Sequence, residues 1–259
     1  MKFVTLVEDT TKCELGAEHG LSIYAETEKH KLLFDVGTTD LFIKNAKALG
    51  IDLSQVDTVV ISHGHNDHGG GLDAFLAIND QAVIYLQEKA FNDHYTAKKT
   101  GPEYIGLNQN LKHHPQVKLL DGSYVIDDEL QIYSHVVGEI YETNKNLLKE
   151  DKTRDDFVHE QHLLIQGSKN VLLMGCGHKG VLNIIGQCPA APDIVIGGFH
   201  LYSPRTGECL PEPVIMDLAA NLPDAVYYTG HCTGDKALAI LTRELREIHP
   251  LMTGTVIEA

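Results

Sequence analysis

Ser62-His63-Gly64-His65-Asn66-Asp67-His68-Gly69-Gly70-Gly71 decides how this chain is read. The string follows directly on Thr58-Val59-Val60-Ile61, a continuous apolar run of the kind that forms a strand buried on both faces. It leads into an apolar segment, 72–78, that reads as helix. Four potential ligands fall within six residues, and no single face of a helix or strand can present them all. On a tight loop they can converge. His63 and His65 flank a glycine and point the same way in an extended chain, and Asp67 and His68 lie one turn further on, suited to a neighbouring site. Imidazole and carboxylate are the donors that a borderline divalent ion such as Zn²⁺ accepts. Burying four such groups unpaired would be costly, and Gly64 with 69–71 lets the backbone fold closely around an ion.

The same grammar recurs further along. Val171-Leu172-Leu173-Met174-Gly175-Cys176-Gly177-His178, Ile194-Val195-Ile196-Gly197-Gly198-Phe199-His200 and Val226-Tyr227-Tyr228-Thr229-Gly230-His231 each run from an apolar strand through glycine to histidine. In α/β folds sites gather at the carboxyl ends of strands, so four strand ends delivering histidines to one rim is a consistent picture. One metal can use His63, His65 and His178, and a second Asp67, His68 and His231. Cys176 can ligate or bridge, or simply fill space beside Gly175 as a small buried thiol. His200 is either a ligand or a neutral acid/base and oxyanion partner beside the metals, and the second reading is preferred.

Outward from these segments, the pattern predicts strands at 3–7, 22–27, 31–35, 57–62, 82–86, 117–120, 130–134, 163–166, 171–174, 194–196 and 225–228. Helices are predicted at 40–49, 72–78, 181–185, 214–220 and 235–248. Gly50 is expected just past the first helix. The last helix carries Leu238, Leu241, Leu245 and Ile248 on one stripe, with Thr233 or Asp235 as N-cap. No linker divides the chain, so 1–259 is read as one domain, with 88–115 as an insertion or lid. Strands alternating with helices, with hairpins at both ends, predict a layered α/β fold with mixed sheets.

Composition narrows the partners. The 259 residues hold 36 acidic and 21 basic side chains, a formal charge of −15, which disfavours binding to a nucleic-acid backbone. The five cysteines contain no C-x-x-C pair, against a disulfide framework or zinc ribbon. No apolar run is long enough to span a bilayer, and the N-terminus turns acidic too soon for a signal peptide, so a cytoplasmic location is expected. The expected partner is a small-molecule substrate, with neither nucleic acid nor membrane and a homodimer left open.

His63-Gly64-His65-Asn66-Asp67-His68 resembles the H-x-H-x-D-H signature of the metallo-β-lactamase superfamily, and Leu32-Leu33-Phe34-Asp35-Val36-Gly37 resembles its early strand-Asp-x-Gly motif. Five further segments are similar to a narrower group, the 7,8-dihydropterin-6-methyl-4-(β-D-ribofuranosyl)aminobenzene-5′-phosphate synthase-like metal-dependent hydrolases. They are Glu18-His19-Gly20-Leu21-Ser22, Glu160-Gln161, Gly175-Cys176-Gly177-His178, Gly197-Gly198-Phe199-His200-Leu201 and Gly230-His231-Cys232-Thr233-Gly234. The resemblance implies a four-layer αββα sandwich of two mixed β-sheets flanked by helices. Asp35 is then expected behind a ligand histidine, orienting it through its free ring N–H. There is one departure. Many members carry a metal-bridging aspartate after a strand and glycine, and here Gly175 is followed by Cys176. A single-metal site or a differently bridged pair therefore stays open, with His159 and Glu160 as substitutes ranked below His178.

The activity expected is that of a metal-dependent hydrolase. One or two Zn²⁺ ions, with Mn²⁺ or Fe also open, bring the pKa of bound water to about 7. Asp67 would orient the resulting hydroxide, with His200 near the developing oxyanion. The bond is of ester or phosphoester type in a small anionic substrate, phosphorylated or pterin-like by the resemblance, with Arg205 and Lys179 as candidate anchors. Three alternatives stand beside this. A di-iron oxidoreductase on the same fold would carry a carboxylate in place of His65 and a flavodoxin-like domain. A non-catalytic metal-binding protein would keep the site alone. A nucleic-acid-processing hydrolase would need a basic channel.

Overall fold

The computed structural model describes residues 1–259. The first half runs β1 (Lys2–Val7), β2 (Ser22–Glu26), β3 (Lys31–Phe34), α1 (Leu41–Ala48), β4 (Thr58–Val60), the one-turn α2 (Asn66–Gly69), α3 (Leu72–Leu76), β5 (Val83–Gln87), β6 (Tyr95–Lys98), β7 (Gly101–Tyr104) and β8 (Val117–Leu120). There follow β9 (Tyr124–Val125), β10 (Leu130–Ser134), β11 (Leu147–Leu148), β12 (Gln161–Ile165), β13 (Val171–Leu173), α4 (Val181–Gly186) and β14 (Ile194–Ile196). The chain ends with β15 (Tyr202–Ser203), β16 (Glu208–Cys209), α5 (Glu212–Asn221), β17 (Val226–Thr229), α6 (Asp235–Glu244), β18 (Ile248–Pro250) and β19 (Val256–Glu258).

Two seven-stranded sheets result, ordered β19-β1-β2-β3-β4-β5-β8 and β18-β17-β14-β13-β12-β10-β9. Each is mixed: β3, β4, β5 and β8 are parallel in the first, and β13, β14, β17 and β18 in the second. Period-two alternation sends Phe3, Ile23, Leu32 and Phe34 inward to meet Ile132, Leu163, Leu173 and Ile194 of the other sheet. The opposite faces carry Val4, Leu33 and Val59 against Phe42 of α1 and Phe75 of α3. Leu172, Val195 and Tyr227 likewise meet Ile184 of α4, Ile215 of α5 and Leu241 of α6. Three apolar layers separate four structural layers, so the architecture is the expected αββα sandwich.

The chain departs from the sequence expectations at its C-terminal end. The predicted helix 235–248 stops at Glu244, and Ile248 instead opens β18, paired in parallel with β17. Ile248, three residues after Leu245, packs into the same core as Leu241, so the apolar spacing alone could not separate helix from strand there. Neither Thr233 nor Asp235 caps α6. The N-cap is Gly234, and the Thr233 hydroxyl is engaged with Phe199 N–H at 3.0 Å. β19, unassigned from sequence, pairs with β1 and extends the first sheet. Residues 88–115 hold the β6–β7 hairpin, which joins β11 in a small three-stranded sheet.

Candidate metal centre

β1 reaches β3 through two antiparallel pairings, so it runs in the same direction as β3 and β4. Its end therefore brings Glu8-Asp9 to the edge where β3 delivers Asp35 and β4 delivers Ser62 to His68. From the second sheet the turns after β13, β14 and β17 bring Cys176 and His178, His200, and His231. Asp35, His200 and His231 have left-handed backbones, with φ of 58°, 46° and 46°. Such strain in non-glycine residues persists where the surroundings over-determine it. Gly175 is required by close packing: a Cβ there would lie 2.2 Å from Ser62 Oγ.

His63 Nε2 lies 3.0 Å from His65 Nδ1 and 3.3 Å from His178 Nε2. Around one tetrahedral ion with bonds of about 2.0–2.1 Å, donors sit about 3.4 Å apart, so these three fit a shared cation. His63 Nδ1 is bound to Ser62 Oγ at 2.8 Å, and His178 Nδ1 donates to Asn144 Oδ1 at 2.6 Å. Each Nδ1 thus holds the proton and each Nε2 keeps a lone pair. Burial, reinforced by neighbouring histidines, holds His63 and His178 well below the ordinary imidazole range, and burial with His159 does the same for His65. These are neutral, donor-ready rings. The Nε2 of His65 is buried without a partner, and His65 also groups with His94, Asp155 and His159 as a further set of possible cation donors.

In the second set, Asp67 Oδ2 is 3.5 Å from His68 Nε2 and 3.4 Å from His231 Nε2. His68 Nδ1 donates to Asp35 Oδ2 at 2.6 Å, and that carboxylate also accepts from the Ser62 N–H and hydroxyl at 2.7 Å each. His231 Nδ1 donates to Asp9 Oδ1 at 2.7 Å, while its buried Nε2 makes no hydrogen bond. Burial alone would raise Asp67, but His68 and His231 hold it well below the usual carboxylate range. Burial would lower His231, but Asp67 and Asp9 hold it well above its ordinary value. Cys176 belongs to both sets, grouped with His63 and His178 and also with Asp67, His68 and His231. Its Sγ is 3.2 Å from His68 Nε2. An orphaned ring nitrogen, fixed tautomers and tetrahedral spacing fit a divalent ion in the second set, and fixed tautomers and spacing around Cys176 fit one between His63 and His178.

The other sequence candidates are placed differently. His159 accepts from Gly64 N–H at Nδ1, 3.0 Å away, and its Nε2 lies 3.2 Å from Asp155, within the group it forms with His65 and His94. Glu160 accepts from the backbone N–H groups of His178 and Lys179, which holds the ligand-bearing turn, and burial pushes its carboxyl up to about 7. His200 lies outside both ligand sets and lines the cleft above them. Burial lowers it to about 3, so it is neutral at pH 7. Thr143 spends its own hydroxyl proton on the His200 carbonyl and can only accept from His200 Nδ1 at 3.4 Å, which leaves Nε2 an acceptor. The oxyanion role expected of His200 needs the other tautomer. Arg205 stands at the cleft, paired with Glu103 at 3.0 Å. Lys179 does not line the cleft, and its Nζ donates to the Asp156 carbonyl at 3.0 Å. The sequence reading missed Asn144, Asp9, His94 and Asp155. Only Asp9 had a signal, since it follows β1 as Asp35 follows β3.

The cleft above the ligand sets is narrow, with a volume of about 100 Å³, and is lined by His19, His65, Asp67, His178, His200 and His231. The family profile of the metallo-β-lactamase superfamily matches residues 15–153. The chain belongs to that superfamily. Metal-dependent hydrolysis is the superfamily's typical chemistry, and its members bind divalent ions. A solved metal-dependent hydrolase of the β-lactamase superfamily is 28 % identical with a TM-score of 0.84, covering 100 % of this chain and 99 % of that one. The 7,8-dihydropterin-6-methyl-4-(β-D-ribofuranosyl)aminobenzene-5′-phosphate synthase of Methanocaldococcus jannaschii is 29 % identical over 293 residues, 100 % of this chain and 96 % of the relative. A metallo-β-lactamase fold protein of Bacillus subtilis shares the fold, with a TM-score of 0.62 at 14 % identity. No helix is long and apolar enough to cross a membrane.

Proposed function

We propose that this metallo-β-lactamase superfamily member is a hydrolase that uses two divalent ions to cleave an ester-type or phosphoester bond of a small anionic substrate. The observation that supports it is the pair of donor groups His63/Cys176/His178 and Asp67/His68/Cys176/His231, which share Cys176 at the cleft, with His65 Nδ1 3.0 Å from His63 Nε2 beside the first. Divalent ions held there supply a nucleophile at neutral pH and polarise the bond to be broken. The chain's own part is preorganisation. Ser62 and Asn144 keep the His63 and His178 lone pairs turned inward, and Asp35 and Asp9 do the same for His68 and His231. Asp67 contributes the one carboxylate donor, and Cys176 occupies the place between the sets where a bridging group belongs. His200 presents a neutral acceptor, suited to a hydroxyl or amine of the substrate. Arg205 becomes an anion anchor when it exchanges Glu103 for a substrate phosphate or carboxylate.

The test is a panel of phosphomonoesters, phosphodiesters, carboxyl esters and lactones, offered to protein carrying Zn²⁺ or Mn²⁺. Expected is chelator-sensitive turnover that His63→Ala and His68→Ala abolish. Inactivity on the whole panel with two ions bound would contradict the reading. A second reading has its own support, the full-length match to a relative named as a synthase. Under it the same centre serves synthesis of the compound in that name, and product analysis separates the two.

A further inference from the structure

Beside the second ligand set stands a histidine that the ligand grammar does not assign, His19. It lies on the loop between β1 and β2, far in sequence from any strand-glycine turn, and lines the cleft. Its Nε2 is 3.5 Å from Asp67 Oδ2, matching the 3.5 Å and 3.4 Å of His68 and His231. Three imidazole Nε2 atoms thus lie 3.4–3.5 Å from one carboxylate oxygen, close to the ~3.4 Å donor–donor spacing of a tetrahedral site, and His19 and His231 also group together as possible cation donors. His19 also shares the ligands' tautomer. Its Nδ1 donates to Asp9 Oδ2 at 3.0 Å, as His231 Nδ1 does to Asp9 Oδ1 at 2.7 Å, so one carboxylate orients both rings. The two rings stack with centroids 4.8 Å apart and planes 29° apart.

The loop is built to hold this pose. Glu18 accepts from Thr38 N–H at 3.2 Å, Thr39 N–H at 2.9 Å and the Thr39 hydroxyl at 2.7 Å. Gly20 has φ of +150°, and a Cβ there would lie 2.5 Å from the Asp67 carbonyl oxygen, so the chain crosses the Asp67 backbone only as glycine. The next N–H, that of Leu21, donates to the same carbonyl at 3.2 Å. Glu18-His19-Gly20 is therefore an anchor on Thr38 and Thr39, a donor aimed at Asp67 and a close crossing of the Asp67 backbone.

We propose that His19 is a further protein ligand of the second metal ion, joining Asp67, His68 and His231 from the open side of the cleft. The inference rests on the two-ion reading above. About half of the His19 side chain is exposed, so replacing it leaves the fold intact. Asp9 orients His19 and His231 together, which makes His19 the position where the added donor can be removed alone.

The test is a Co²⁺ titration of chelator-stripped wild-type protein, His19→Ala and His19→Gln, followed by metal content and by the visible absorption that reports coordination number. Unfolding midpoints of the stripped proteins control for folding. The expected result is two ions in the wild type, an unchanged first ion in both variants, a second ion weakened ~10–100-fold or more, and an altered second-ion spectrum. Wild-type affinity and spectrum in both variants overturn the assignment, including the case where turnover falls while metal binding does not, since His19 then acts on substrate. A wild type that takes up only one ion overturns the two-ion reading itself, and His19's role with it.

Discussion

His63 and His178 are backed by neutral groups, Ser62 and Asn144, whereas His68 and His231 are backed by carboxylates, Asp35 and Asp9. Both arrangements fix the tautomer, but only the second adds charge. The first set offers three imidazoles of no net charge in a dry setting. The second adds Asp67 as donor and two more carboxylates behind its histidines, so it attracts a cation more strongly and makes its rings more basic. On the two-ion reading, one centre would hold two sites with different sensitivities to protons and to mutation. The arrangement is set by which strand end faces which: β3 and β1 deliver carboxylates, while the 142–146 segment delivers an amide.

The largest expected effect falls on Asp35. Replacing it with alanine strips the acceptor from the Ser62 N–H, the Ser62 hydroxyl and His68 Nδ1, all buried. Urea unfolding of Asp35→Ala without metal should show a loss on the order of 3 kcal/mol or more, since each buried donor left without an acceptor costs about 1–3 kcal/mol. A loss under ~1 kcal/mol would mean the carboxylate does not organise the second set. Next is acidification. His231 sits well above its ordinary pKa and must shed its proton to ligate, whereas His63, His65 and His178 sit well below theirs and are already neutral. Each unit of falling pH should therefore weaken the second ion about tenfold while the first is unaffected near neutrality. Metal retention after dialysis at stepped pH checks this, and loss of the first ion before the second would reverse the comparison. Asn144→Ala should cost the first ion ~10-fold in affinity and leave the second unchanged, measured by competition with a chelating dye. Smallest is Arg205→Ala, an exposed residue paired with Glu103. A few-fold rise in KM with kcat unchanged is expected, because it anchors substrate without touching the ligand sets.

Much of this centre is legible in the sequence because strand ends announce themselves. His63, His65, Asp67, His68, His178 and His231 each lie in a glycine-containing turn just after an apolar run, and parallel strands carry such turns to one edge. The layered fold was equally readable, since Phe3, Leu32 and Ile194 alternate with residues that pack under helices. The supporting residues were not. Asp9 meets His231 across 222 positions and Asn144 meets His178 across 34, and no local period links such pairs. Asn144 lies in a polar stretch whose composition resembles any surface loop. The C-terminal helix was overextended for a related reason, since Ile248 keeps the apolar spacing of α6 while belonging to β18. Lys179 looked like an anchor by adjacency to His178, but its side chain is used to pin the Asp156 carbonyl.

The central claim is that two metal ions share this centre, each held by its own set. It is tested most directly by metal content of the purified protein beside His63→Ala and His68→Ala. The account predicts two equivalents per chain in the wild type and about one in each variant, with His63→Ala emptying the first set and His68→Ala the second. One equivalent in the wild type, lost in His63→Ala and retained in His68→Ala, would contradict it and leave Cys176 as the mark of a mononuclear site.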